Sequence, residues 1–255
     1  MTVEAVTGGP VAEIVLRRPD VLNAMNFEVF DGLASAADEV AASPEARVVL
    51  VRGEGRSFSS GIDVSSFGSG DMSPEAMVAR AQSGFRKVAT LELPAVAAVQ
   101  GHALGAGLQL ALACDIRVVA EDASLGLLEA RFGIIPDLCG TQRLPLLVGA
   151  GRAKKMIWLA ERIDGAEAGR IGLAEIVVPP ESVEDEARAL CERLAAAPPI
   201  AVRAVKALVD RAGRVDLDEG MDGEAAAQVK ALTSEDFGEG VSAFLSKRPP
   251  AFKGK

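Results

Sequence analysis

The chain has 255 residues, of which 49% are hydrophobic and 25% charged. That is apolar material enough for a large core, and it excludes a disordered, collagen-like or coiled-coil chain. Its 36 acidic residues outnumber 27 basic ones, for a net charge of −9, so neither a nucleic acid nor an anionic membrane is an expected partner.

In chain order, two extended runs, Val3–Val6 and Val11–Leu16, flank Gly8-Gly9-Pro10, a hairpin signal. Phe30, Leu33, Ala37 and Val40 then share one face of a predicted helix that stops at Ser43-Pro44. The apolar run Val48–Val51, ended by Gly53, reads as a buried strand. Ser73-Pro74 reads as an N-cap with proline at the first helical position, opening a helix with Met77, Ala81, Phe85 and Val88 inward. A second buried strand, Ala95–Val99, is followed by glycines 101, 105 and 107, an apolar helix over Leu108–Ala113 and a third strand over Ile116–Val119. Strands alternating with helices predict a mostly parallel sheet.

Beyond about residue 180 the pattern is helical. Ser182…Asp185 reads as a capping box, with breaks at Pro198-Pro199 and near Gly213. Thr233…Asp236 opens a last amphipathic helix carrying Phe237, Val241, Phe244 and Leu245, before a basic tail of Lys247, Arg248, Lys253 and Lys255. The expected organisation is an α/β core over 1–180 and a helical region over 181–255. MTVEAVTGGP lacks the basic and apolar regions of a secretion signal. The longest hydrophobic stretch, Ala103 to Cys114, contains Gln109 and falls short of the roughly 18 residues of a membrane helix. Cys114, Cys139 and Cys191 form no CxxC pair, and the single His102 cannot complete a Cys/His metal set. A soluble, cytoplasmic protein without a metal site is expected.

Three stretches carry candidate chemistry. In Val99–Gly107 a strand runs through glycines into a helix and leaves backbone N–H groups free at the helix N-terminus. A dinucleotide fingerprint, an oxyanion site and plain tight packing all fit, although Leu110 stands where a fingerprint needs its third glycine. Arg56–Asp63 offers small residues and Gly61 just beyond a buried strand; it reads either as a second backbone donor or as a surface turn. In Leu127–Asp137 two carboxyls, Glu129 and Asp137, stand among Leu, Ile and Phe. Burial there would raise a carboxyl toward the range of general acid–base work. The plainer reading pairs Glu129 with Arg131 or Arg143 and makes Asp137 a helix cap. His102 reads as a packed residue, and Arg17, Arg18, Arg117 and Arg143 as solvated or structural, with a phosphate contact as the alternative for some of them.

Together these stretches resemble the crotonase superfamily, the enoyl-CoA hydratases and isomerases. The resemblance rests on Arg18-Pro19 with Asn23–Asn26, on Phe58–Asp63 and on Gly101–Gly107. It continues through Cys114–Arg117, Gly133–Pro136 with Gly140–Leu144, and Lys247–Phe252, in register from about residue 3 to residue 252. It implies an α/β spiral of ββα repeats, a C-terminal helical region that trimerises, and an acyl-CoA thioester ligand. The backbone amides of Ile62 and Ala106 fall on the family's oxyanion hole, where loss of one donor costs about 10²–10³ in rate. Ser59, Gly61, Asp63 and Val64 would line the path of the coenzyme, and Gln109 would contact substrate. The basic tail would lie near the phosphates of coenzyme A. The assembly implied is a homotrimer or a dimer of trimers. No separate cofactor is implied, since coenzyme A is part of the substrate.

The acids divide the branches of that family. Its hydratases hold and activate water with two glutamates, and these fall on Gln109 and Glu129. A glutamine cannot take a proton from water, and loss of a general base costs about 10²–10⁴ in rate. The family's enoyl-CoA isomerases rely on a carboxylate at Glu129. Its dienoyl-CoA isomerases add an aspartate eight residues later, at Asp137, although they carry another aspartate where Gln109 stands. The resemblance thus implies an enoyl- or dienoyl-CoA isomerase with Glu129 and Asp137 catalytic. The alternatives are a trans-2-enoyl-CoA hydratase and a non-catalytic acyl-CoA-binding protein.

Overall fold

The structure is a computed structural model, and it describes residues 1–66 and 72–255. β1 (Val3–Val6) and β2 (Val11–Leu16) form the expected antiparallel hairpin. Asn26 caps α1 (Phe27–Ala42), its Oδ1 accepting from Val29 N at 3.0 Å, and α1 buries Phe30, Leu33, Ala37 and Val40. β3 (Val48–Gly53) pairs in parallel with β2. Ser73 caps α2 (Pro74–Ala89), which packs on α1 with Phe85 and Val88 fully buried. β4 (Ala95–Val99) joins β3 in parallel. Next come β5 (His102–Leu104), α3 (Ala106–Ala113), β6 (Ile116–Ala120) and β7 (Ser124–Gly126). A short 3-10 segment, Glu129–Phe132, precedes α4 (Gly140–Val148), α5 (Ala150–Trp158), α6 (Gly165–Arg170) and β8 (Ile176–Val178). The chain ends in α7 (Val183–Ala195), α8 (Pro199–Arg211), α9 (Leu217–Leu232) and α10 (Glu235–Leu245).

The main sheet runs β1-β2-β3-β4-β6-β8 and is parallel apart from its first hairpin. Val48–Val51 and Ala95–Val99 are buried throughout, as strands covered on both faces must be. Past residue 180, α7 still belongs to this core: Val183, Ala187, Cys191 and Ala195 are buried, and the helix packs across β2, β3, β4 and β6. The next helix, α8, buries no residue fully and is tied to the core by an ion pair from Lys206 to Asp115. Among the described residues no helix is long and apolar enough to cross a membrane.

A second, two-stranded sheet organises the rest. β5 and β7 pair in parallel, and Ser59 bridges Ala103 in parallel on the other side of β5. Three chain segments therefore leave this small sheet in the same direction. Gly107, in the first turn of α3, lies so close that a Cβ there would stand 2.5 Å from the carbonyl oxygen of Ser59.

Two expected caps are placed differently. Ser182 makes no cap bond, because a 3-10 turn over Pro180–Ser182 runs straight into α7 and leaves Ser182 at φ −101°, ψ −6°. A capping side chain reaches the following amides from an extended backbone instead. Ser234, not Thr233, caps α10, accepting from Phe237 N at 3.1 Å, while the Thr233 hydroxyl donates back to Val229 O at 3.0 Å and closes α9. Phe237, Val241, Phe244 and Leu245 lie on α10 as expected, but as exposed apolar surface, Phe244 at 83%.

Gly107→Ala should destabilise the fold by about 1–3 kcal/mol through overpacking. At this size that is a fall of roughly 2–4 °C in Tm per kcal/mol. Thermal unfolding at the parental Tm would show that α3 is not packed this tightly on the Ser59 segment.

Candidate active site

The three segments leaving the small sheet carry the predicted site residues. After Ser59 the chain reaches Ile62, after β5 it reaches Ala106, and after β7 it reaches Glu129. Gly61 has φ +103°, and a Cβ there would stand 2.7 Å from Leu104 O. Only glycine fits so close in that left-handed region, and the contact sets the Ile62 turn against the N-terminus of α3. Neither the Ile62 amide nor the Ala106 amide donates to any acceptor among the described residues. Two free N–H groups on adjoining turns make a candidate oxyanion hole.

The loop carrying Ile62 is held from both sides. Met25 N donates to Gly61 O at 2.8 Å and Asp63 N to Met25 O at 2.9 Å. Asp63 accepts from both terminal nitrogens of Arg18 at 3.1 and 3.2 Å. The Ser65 hydroxyl, first, and the Arg18 guanidinium hold the Asp63 carboxyl below its ordinary range. Ser59 is fully buried and donates its hydroxyl to Asn23 O at 2.9 Å, whereas Val64 is exposed.

Glu129 is 5% exposed. Its Oε1 accepts from Gln109 Nε2 at 2.7 Å, and its Oε2 is buried without a hydrogen-bond partner. A Cβ on Gly105 would stand 3.2 Å from Oε1, so the carboxyl rests against the residue that precedes the free Ala106 amide. Burial pushes the Glu129 carboxyl above its ordinary value; the backbone dipoles of Glu129 and Leu128 and the Gln109 N–H pull it back, and the Asp137 charge adds to the rise.

The plainer pairings do not form. Arg131 donates to Ala160 O, and Arg143 to Leu112 O and Ala89 O. Cys139, not Asp137, occupies the cap position of α4, in a left-handed conformation. The Asp137 carbonyl accepts from Gln82 of α2 at 2.9 Å, and its half-buried carboxylate accepts nothing from the described residues. Gln109 is fully buried, and its Oε1 accepts from Leu138 N at 2.7 Å and Gly140 N at 3.1 Å. Cys139 donates to Gln109 O at 3.3 Å, and burial pushes its thiol up to about 12, so it is no thiolate at neutral pH.

His102 accepts or donates at Nδ1 with the Ser57 hydroxyl at 2.9 Å. Arg117 is buried and bound to Leu173 O, Cys114 O and Glu175, a structural role. Arg248 of the basic tail forks onto Glu239 at 2.6 and 2.8 Å. Sequence reasoning missed the seat at Gly105 and the two amides that grip Gln109. The glycine was visible, but the partners of Gln109 follow from a turn that no local pattern marks.

Chemically, the site can hold a developing negative charge at two amides and move a proton at one buried, poorly solvated carboxyl. A model of the enoyl-CoA hydratase/isomerase family matches residues 7–255. The chain is 37% identical over 248 residues to a probable enoyl-CoA hydratase of Bacillus subtilis (strain 168), with 96% of each chain covered. It is 36% identical over 247 residues to a crotonyl-CoA hydratase of Syntrophomonas wolfei subsp. wolfei, covering 96% of this chain and 95% of the other. The crystal structure of an enoyl-CoA hydratase from Bacillus anthracis matches with a TM-score of 0.94 at 36% identity over 100% of both chains. That of a Thermobifida fusca protein described as an enoyl-CoA hydratase in complex with CoA matches with a TM-score of 0.83 at 38% identity, over 91% of this chain and 93% of that one.

The raised Glu129 carboxyl predicts a signed effect on stability. It binds its proton more tightly in the folded chain than in the unfolded one, where its ordinary value is 4.5. Its contribution to folding is therefore complete below that value and lost as pH rises through the folded value. Glu129→Gln stays neutral throughout, so its Tm relative to the parent should climb as pH rises above the ordinary value of 4.5. A difference in Tm that does not change with pH would contradict the burial of an ionisable Glu129.

Proposed function

The chain belongs to the enoyl-CoA hydratase/isomerase family of the crotonase superfamily, and we propose that it acts there as an isomerase, moving a double bond along an enoyl- or dienoyl-CoA thioester. The observation that carries this reading is the contrast between Glu129 and Gln109. Glu129 offers a buried oxygen with no partner, while Gln109, at the position of the hydratases' first glutamate, has no base to offer and its carbonyl oxygen already accepts from two amides.

In this reading the thioester carbonyl accepts hydrogen bonds from the Ile62 and Ala106 amides. Glu129 Oε2 removes a proton from the acyl chain, and the bonding pair moves toward the carbonyl oxygen as an enolate. The two amides stabilise that charge. A proton returns at a carbon further along, from Glu129 itself or from Asp137, and the double bond is left shifted. One C–H bond breaks and another forms, with no net oxidation. Asp137 lies near enough for its charge to act on Glu129. Ser59, Gly61, Asp63 and Val64 shape the loop along which coenzyme A would run. The exposed apolar face of α10 would meet other copies of the chain, as a homotrimer or a dimer of trimers.

A second reading, trans-2-enoyl-CoA hydratase, is favoured by the names of the relatives at 36–37% identity. It would require Glu129, alone or with Asp137, to activate the water. Two substrates followed by ultraviolet absorbance separate the readings. A 3,5-dienoyl-CoA should gain the absorbance of a conjugated 2,4-dienoyl thioester, and a trans-2-enoyl-CoA should lose its absorbance slowly or not at all. Fast loss in the second alone would replace isomerisation by hydration.

Glu129→Gln should lower kcat by about 10²–10⁴, the worth of a general base, while acyl-CoA binding by calorimetry stays within a few fold. Turnover at the parental rate would remove Glu129 from the chemistry. In sedimentation, Phe244→Asp should shift the assembly toward smaller species, and an unchanged profile would place the subunit contact elsewhere.

A further inference from the structure

We infer that Gln109 is a positioning residue for this reaction, gripping Glu129 by one oxygen so that the other, Oε2, is the one presented to the acyl chain. The inference rests on the reading of Glu129 as the proton-carrying group. A carboxamide has an oxygen that accepts and an NH₂ that donates, and a half turn exchanges them. Here the half turn is forbidden by the backbone. Gln109 Oε1 faces two amide donors, Leu138 N at 2.7 Å and Gly140 N at 3.1 Å. An NH₂ turned toward them would set donors against donors, so Nε2 must point at Glu129, where it donates to Oε1 at 2.7 Å.

That donation fixes the chemistry of the two carboxyl oxygens. An oxygen that accepts the Gln109 N–H is the poorer place for a proton, which therefore resides on Oε2, the oxygen without a protein partner. Glu129 thus takes up and releases its proton on one side only. A glutamate or aspartate at 109 could also accept from the two amides, but once ionised it could not donate to Glu129. The choice of glutamine over those acids has its physical consequence here.

Other charges near Glu129 do not supply a donor. α3 carries no titratable side chain, its sequence being AGLQLALA. Arg131 of the 3-10 segment and Arg143 of α4 are bound to carbonyl oxygens. Asp137 opposes ionisation of Glu129. Among the described side chains the Gln109 N–H is the donor on this carboxyl, and it connects Glu129 to the turn at Leu138–Gly140.

The test is a ¹³C NMR titration of Glu129, assigned by its loss in Glu129→Gln, in the parent, Gln109→Leu and Gln109→Glu, with kcat and KM measured alongside. Removing a hydrogen bond to a charged group should move the Glu129 midpoint in Gln109→Leu upward by about one to two pH units. kcat should fall by about tenfold or more, with KM changed less. In Gln109→Glu, two carboxyls at this separation must share a proton and titrate in two coupled steps. This variant keeps an acceptor for both amides, so it decides the matter if Gln109→Leu does not fold. A folded Gln109→Leu with the parental midpoint and kcat, or a Gln109→Glu with one unshifted Glu129 step, would overturn the assignment. The titration needs no turnover. Should Glu129→Gln prove fully active, the isomerase reading falls while the titration still decides the role of Gln109.

Discussion

A carboxyl held out of water with no cation beside it is the demand that the site's architecture meets. Glu129 is buried, and it forms no ion pair among the described residues. A buried charge without a partner is costly, and the ordinary remedy of an adjacent arginine would hold the group ionised and make it a weak base. The chain uses a weaker device. A neutral amide donates one hydrogen bond to one oxygen, softening the cost of ionisation without removing it. The proton affinity that remains stands above that of an ordinary carboxyl, as suits a group that takes up and releases a proton in the reaction.

That arrangement depends on backbone, and the backbone depends on glycine at a few close approaches. β5 and β7 run in parallel with the Ser59 segment beside them, so three loops emerge together. Gly61 lets the first press on the second, and Gly105, at φ +51°, leaves room for Glu129 against the start of α3. Two unpaired amides and one carboxyl end up on neighbouring turns although their residues are widely separated in sequence. The small sheet continues from the end of β4, where Phe58 N donates to Gln100 O at 2.8 Å and Ser124 N to Gly101 O at 2.7 Å.

The continuous apolar runs made the sheet legible in the sequence, because a strand buried on both faces shows little else. Val48–Val51, Ala95–Val99 and Ile116–Val119 are all strands of it. The caps at Ser73 and the proline break at 198–199 were legible for the same reason, a local rule with a local cause. β5, β7 and β8 were not, since three-residue strands carry no period to read. α4 entered only as the helix that Asp137 would cap, without bounds, since Pro145 interrupts its pattern. At the site, Ile62 and Ala106 could be named only as members of a pattern resembling a family, whereas Glu129 and Asp137 stood out as two acids in an apolar stretch, with an ion pair and a helix cap as the rival readings. What joins them, such as Leu138 and Gly140 gripping Gln109, belongs to tertiary turns. The unread feature was therefore the orientation of one amide.

Hydrogen exchange in D₂O tests the central claim, that Glu129 removes a proton from the acyl chain beside an oxyanion hole, without requiring that the product be known. An acyl-CoA thioester incubated with the enzyme and analysed by mass spectrometry should gain deuterium next to the carbonyl. With Glu129→Gln the gain should fall to the uncatalysed level while the thioester still binds. Exchange by that variant at the parental rate would show that another group takes the proton and would contradict the role given to Glu129.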